Sequence, residues 1–261
     1  LEIPVRLPYF DLSGRVAVVS GGATGIGLSI SEALSEAGAT VVICSRRQNI
    51  CMDAASNIET TTGQKVLGLQ CDVADIQSIN KMVGEVEESL GGIDVLVNCA
   101  GISGSEKPVL KMDANDWKSV IDINLTGAFN LAQAAGGSMI RRGEGGRIIN
   151  VASVGGSIAF PNMTAYCASK GGLVQLTKAL ALEWARYDIL VNTISPGYIE
   201  TPMNVDFFDS DAGKTVIASD VPMNRLGQPE EVKGVAILLA SKSSSFMTGS
   251  EIFLDGGYTA R

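Results

Sequence analysis

The 261-residue sequence contains no histidine. That absence excludes Ser-His-Asp and Cys-His hydrolases, H-E-x-x-H zinc enzymes and Cys2His2 fingers together. Cysteine is sparse: Cys44, Cys51, Cys71, Cys99 and Cys167 form no C-x-x-C pair and no even framework. This usage fits a reduced, cytoplasmic compartment rather than a disulfide scaffold. Cys167 adjoins Tyr166, but with no histidine to activate it, it reads as a small helix-packing residue. No run of about 18 apolar residues is present to span a bilayer. Residues 1–14 mix prolines and charges in place of the apolar core of a signal peptide. Positive charge is also short, with 20 Lys and Arg against 28 Asp and Glu for a net charge of −8. That balance argues against nucleic acid or an anionic membrane as a partner, and the pairs Arg46-Arg47 and Arg141-Arg142 do not reverse it.

Hydrophobic residues make up 46% of the chain, enough for a full core in one α/β domain over 1–261. Short Val- and Ile-rich runs at 16–20, 40–44, 66–70, 95–98, 147–152, 190–194 and 252–254 lack polar alternation, as strands buried on both faces of a parallel sheet do. Helical patterns lie between them near 26–37, 48–61, 76–90, 114–142, 163–186 and 230–239. The alternation predicts a doubly wound, Rossmann-like parallel sheet of about seven strands with helices on both faces. Residues 196–228 break the rhythm. Pro202 and Pro222 mark bends there, and Tyr198, Met203, Phe207, Phe208 and Met223 are mixed with acids. A long segment after a strand's carboxyl end predicts a substrate lid; a packed excursion is the alternative.

The first strand runs into Gly21-Gly22-Ala23-Thr24-Gly25-Ile26-Gly27, which opens a helix. The spacing is G-x-x-x-G-x-G, and glycines there permit a tight turn and close approach of backbone to a pyrophosphate at a helix N-terminus. The second strand ends in Ser45-Arg46-Arg47 with no acid to accept from a ribose hydroxyl. Arginines and a hydroxyl suit a 2′-phosphate, so NADP(H) is favoured over NAD(H); a solvated arginine pair is the bland alternative. Asp72 and Val73 follow the third strand, and Asn98-Cys99-Ala100-Gly101 follows the fourth. Asp72 either accepts from an adenine amino group or caps the next helix.

Tyr166 and Lys170 are four apart on one helical face, and Ser153 lies thirteen residues before the tyrosine. A free phenol titrates near about 10, and an adjacent ammonium is expected to lower that value toward the range useful for acid–base chemistry. The serine hydroxyl could hold the oxygen that gains or loses the proton.

Together these residues resemble the short-chain dehydrogenase/reductase family, in its single-domain branch, over residues 12–257. The family's glycine motif falls on Gly21, Gly25 and Gly27, with Ser20 where threonine is usual. Its N-N-A-G motif reads Asn98-Cys99-Ala100-Gly101, so the second asparagine is lost. Its catalytic tetrad falls on Asn124, Ser153, Tyr166 and Lys170, and its Pro-Gly turn on Pro196-Gly197, with Ile199 and Thr201 following on the nicotinamide side. The resemblance implies an NADP(H)-dependent oxidoreductase that interconverts a small-molecule ketone and a secondary alcohol without a metal. Tyr166 would then exchange the proton, Ser153 would bind the substrate oxygen, Lys170 would bind the ribose, and Asn124 would hold a water beside Lys170. It also implies a homotetramer, packed through the helices at 114–142 and 163–186 and the Asp255-Gly256-Gly257 end.

The substrate stays open among a general ketone or secondary alcohol, a sugar acid and a 3-oxoacyl thioester. Gluconate 5-dehydrogenase-like members share Glu183-Trp184-Ala185 and Ser195-Pro196-Gly197-Tyr198-Ile199. Carrier-protein reductases are similar, but Glu144 and Tyr187 stand where they carry basic docking residues, although Arg141, Arg142 and Arg186 lie close by. The apolar lid residues favour the first class. A non-catalytic NADP-binding sensor would not need all four tetrad residues, and an epimerase would need a further domain.

Overall fold

The computed structural model describes residues 8–202 and 204–260; Met203 of the expected lid lies outside them. Seven strands form one sheet: β1 (Val16–Ser20), β2 (Thr40–Ser45), β3 (Val66–Gln70), β4 (Val95–Asn98), β5 (Gly146–Val151), β6 (Ile189–Pro196) and β7 (Glu251–Leu254). Every pairing is parallel, in the order β3-β2-β1-β4-β5-β6-β7. The α/β, Rossmann-like sheet expected from the sequence is therefore the fold.

All five residues of β1 are buried, because helices cover both sides of the sheet. Side chains alternate across a strand. Ala17 and Val19 face a core built with α1 (Gly25–Glu36), α2 (Gln48–Thr62) and α9 (Lys233–Ala240). Val16 and Val18 face the opposite core, with α3 (Ile76–Leu90), α5 (Gly127–Arg142) and α6 (Thr164–Trp184). At the amino end of the sheet, Asp94 accepts from the Val16 amide at 2.7 Å and from Arg15 and Arg142 at 3.1 Å each. One buried carboxylate thus ties β1 to β4 and α5.

The pattern expected as one helix over 114–142 is interrupted. The helix α4 (Ala114–Ile121) passes through a π-helical turn, Asp122–Thr126, before α5 begins. Asp113 caps α4, accepting from the Asn115 and Asp116 amides at 2.8 Å each. The segment 196–228 is not a bare loop either. It contains α7 (Val205–Asp209) and α8 (Asp211–Asp220), and Phe208, Ile217 and Val221 form a small core of their own with Tyr198 and Leu226.

Gly68 sets the spacing between β3 and α2. A Cβ there would lie 2.5 Å from the backbone of Cys51 and Met52, so any side chain must push helix from sheet. Gly68→Ala is expected to cost about 1–3 kcal/mol, read as a lower urea midpoint at unchanged slope.

Candidate active site

The order of strands reverses between β1 and β4, and a crevice opens at their carboxyl ends. The hydroxyl of Ser20 closes this junction. It donates to Val97 O at 3.3 Å and accepts from the amides of Cys99 at 3.2 Å and Ala100 at 3.3 Å. The chain then turns through Gly21, at φ +68°, into α1. A Cβ on Gly27 would stand 2.2 Å from Gly21 O, so only glycine lets this helix enter so close to the turn. The Thr24 side chain makes no cap bond. The first amides of α1 are left to a ligand, and the cradle fits the diphosphate of a dinucleotide.

A cavity of about 270 Å³ lies over this turn. Of the residues expected at a site, Gly21, Thr24, Gly25, Ile26 and Gly27 line its floor, Ala100 and Gly101 one wall, and Pro196, Gly197, Ile199 and Thr201 the other. Ser153, Tyr166 and Lys170 close its far end. A larger cavity of about 490 Å³ lies beyond Ile199 among Tyr198, Met223, Arg225, Phe253 and the Asp255–Gly257 turn. It holds none of the four tetrad positions, three of which line the smaller one.

Asn124 sits behind that cavity, on the π-helical turn, 1% exposed. Its Oδ1 accepts from Ile102 N at 2.9 Å, and its Nδ2 donates to Ile102 O at 2.9 Å and Ser169 Oγ at 3.1 Å. A methyl on Gly101 would lie 3.3 Å from Asn124 Oδ1 and 3.5 Å from Lys170 Nζ. The amide thus fastens the end of β4 against α6. Ser153 caps a short 3-10 turn, its Oγ accepting from Gly155 N at 3.0 Å.

Lys170 Nζ donates to Val151 O at 2.8 Å and stands 5.8 Å from the centre of the Tyr166 ring. Burial pulls its ammonium down to about 8. Tyr166 departs from expectation. Burial pushes its phenol above the ordinary value, and the hydrogen bond with Ser153 offsets only part of that rise. Burial acts on both groups, against charging either, and the cation does not reverse it.

Other expected residues are elsewhere. Ala23 is buried within the glycine turn. Asn98 points away from the cavity, its Nδ2 donating to Asn150 Oδ1 at 2.8 Å and Ala128 O at 3.2 Å. Val73 packs in the core against Gly127. Arg46 and Arg47 stand exposed beside Ser45 at the end of β2, and among the described residues neither makes a salt bridge. Asp72 lies nearby, accepting from Ala74 N at 3.0 Å; the cap of α3 is Asp75, through Gln77 N at 2.9 Å.

Sequence reasoning missed Ser169, the partner of Asn124, and Asn204, which accepts from Thr201 N at 2.9 Å and donates to Ile199 O at 2.8 Å. The Ser-Lys pair after Tyr166 was the available signal for the first. An Asn two residues past the Thr201-Pro202 bend was that for the second.

The family can now be stated. A family model described as enoyl-(acyl carrier protein) reductase matches residues 21–259. The NAD-dependent glycerol dehydrogenase of Listeria innocua is 38% identical over 252 residues, covering 97% of this chain and 96% of that protein. The 3-oxoacyl-[acyl-carrier-protein] reductase of Aquifex aeolicus is 38% identical over 246 residues, covering 94% and 98%. A gluconate 5-dehydrogenase from Burkholderia cenocepacia, solved with NADP and tartrate, superimposes with a TM-score of 0.93 at 38% identity, covering 98% and 99%. The chain belongs to the short-chain dehydrogenase/reductase family, whose members are oxidoreductases.

The depressed Lys170 has a stability consequence. Its ordinary value is 10.5, so the folded chain binds fewer protons than the unfolded one between about pH 8 and that value. Stability attributable to this group therefore rises with pH across that window. Relative to Lys170→Met, the wild-type unfolding free energy is expected to gain roughly 2–3 kcal/mol from pH 7.5 to pH 10, measured by urea denaturation. A flat difference would mean that the ammonium is not desolvated.

Proposed function

We propose that this chain is an NADP(H)-dependent oxidoreductase interconverting a ketone and a secondary alcohol, with Asn124, Ser153, Tyr166 and Lys170 as its working residues. The observation that carries the reading is the convergence of the Ser153 hydroxyl, the Tyr166 phenol and the Lys170 ammonium at the end of a glycine-floored cavity. A bound nicotinamide dinucleotide supplies or accepts the hydride at the carbinol carbon. Tyr166, protonated through its raised titration, gives its proton to the ketone oxygen, and Ser153 donates a hydrogen bond to that same oxygen. In the reverse direction the phenol must ionise, and Lys170 carries the positive charge that favours this below about pH 8. Asn124 is a positioning residue whose bonds fix the wall at Ile102 and the helix that carries Tyr166 and Lys170. No step requires a metal.

Two arginines beside Ser45 that make no salt bridge among the described residues support NADP(H), whereas Arg15, Arg141, Arg142 and Arg225 are paired with Asp94, Glu87, Asp94 and Glu231. Asp72, which does not cap α3 and accepts from Ala74 N, is the candidate acceptor for the adenine amino group. A carrier-protein substrate is less well supported. Arg141 and Arg142 are neutralised by those ion pairs, and Arg186 lies over the Tyr187 ring at 4.8 Å. The segment 196–228 acts as the substrate lid of a single domain in this reading. Helix faces that leave Trp117, Phe129 and Leu182 exposed, the last at 84%, support a homotetramer packed through α4, α5 and α6. Five free cysteines and the lack, among the described residues, of a helix long and apolar enough to cross a membrane support a cytoplasmic enzyme.

Tyr166→Phe is expected to abolish turnover, followed as nicotinamide absorbance with a ketone panel, while dinucleotide affinity stays within about twofold; retained turnover removes the acid–base assignment. Arg46→Ala is expected to weaken NADPH binding by about tenfold or more and NADH binding little. Equal losses would return Arg46 to a surface charge.

A further inference from the structure

The aromatic residues of this chain are few, 5% of the sequence, yet four from separate segments pack together beside the turn that carries Ser153. Phe160 follows the Ser153 turn, Tyr198 follows β6, Phe208 lies on α7, and Tyr258 lies in the last turn described. The ring of Phe160 is 6.1 Å from Tyr198 and 6.3 Å from Tyr258, with planes inclined by 24° and 22°. Tyr198 is 5.4 Å from Tyr258 and 5.0 Å from Phe208. Phe160, Tyr198 and Tyr258 are offset and inclined to one another by 22–33°, with Phe208 tilted by 56° behind Tyr198, so the three form an apolar wall.

This wall begins at the reacting groups. A Cβ on Gly155 would meet Phe160 Cε2 at 2.9 Å and Ser153 Oγ at 3.4 Å, so ring and hydroxyl border the same space. The Phe160 amide donates to Cys167 Sγ at 3.4 Å, anchoring the ring beside the residue that follows Tyr166. The far end is held as well, where Tyr258 Oη donates to Asp220 Oδ2 at 3.2 Å.

Charge on the same surfaces is equally specific. Among the described residues lining the cavity, Lys170 is the only cation, and its Nζ is engaged with Val151 O. Arg225, the nearest guanidinium on the lid, is held by both oxygens of Glu231 at 2.7 Å each. A substrate carboxylate would enter without a counter-ion and lose its hydration.

We propose that the substrate is an uncharged ketone, or the matching alcohol, whose flat apolar ring lies against Phe160, Tyr198 and Tyr258. This rests on the oxidoreductase reading above and adds the chemical class selected by the wall. An aryl or alicyclic ketone meets it. A keto sugar acid offers a carboxylate and a hydroxylated chain to a surface with no cation to spare.

The test compares kcat/KM for acetophenone and cyclohexanone with that for a 5-keto sugar acid, using wild type and Phe160→Ala under saturating NADPH. The cyclic ketones are expected to exceed the keto acid by about 100-fold, and Phe160→Ala is expected to cut that preference by about tenfold, mainly through KM. NADPH titration by fluorescence shows that the variant is folded. A keto acid turned over as well as the ketones, or a preference unchanged in a Phe160→Ala protein that binds NADPH normally, overturns the substrate class while leaving the oxidoreductase reading intact. No turnover of any of the three by wild type with NADPH bound counts against that reading and takes this inference with it.

Discussion

The candidate site depends on burying one ammonium group. Lys170 stands 6% exposed at the carboxyl end of the sheet, where its Nζ finds one backbone carbonyl, that of Val151. An unpaired charge there would be costly; burial pulls the ammonium down to about 8, and a backbone carbonyl supplies an acceptor. That acceptor is available only because β5 ends beside α6. The approach requires Gly156, whose Cβ would lie 2.9 Å from Lys170 O. The close approach of the Ser153 turn to α6 at Gly156 is part of what places this lysine.

The same burial reorders the roles of its neighbours. A phenol shielded from solvent holds its proton, and burial keeps that of Tyr166 above its ordinary value. The serine hydroxyl partly relieves that burial. Asn124 acts from behind, on a π-helical turn that lets one amide side chain reach both the end of β4 and α6. Departures from regular helix commonly accompany such functional placement. The glycine turn on the opposite wall follows comparable logic: contact between α1 and Gly21 O leaves no room for a side chain, and backbone amides face the cavity instead.

The segment 196–228 shows how local and distant sequence combine. Phe208, Ile217 and Val221 make 196–228 a packed unit, as the packed-excursion reading expected. Its aromatic contacts run to Phe160 and to Tyr258, residues remote in the chain. The aromatic cluster is thereby assembled from segments that follow three strand ends, at the carboxyl edge where open α/β sheets present their crevice.

Much of this was legible in the sequence. The seven Val- and Ile-rich runs, the G-x-x-x-G-x-G turn and the Tyr-Lys spacing depend on short-range periodicity and glycine stereochemistry, which a linear pattern records. They determined the strands, the doubly wound class and three of the groups at the cavity's end. What tertiary structure alone decided was direction and environment. Asn98 turns to Asn150, Asp75 takes the cap considered for Asp72, and burial raises Tyr166 where a neighbouring cation was expected to lower it. Each outcome depends on which distant atoms surround a side chain. Hydrogen-bond partners and desolvation arise only after the strands have been ordered, and no spacing along the chain encodes them.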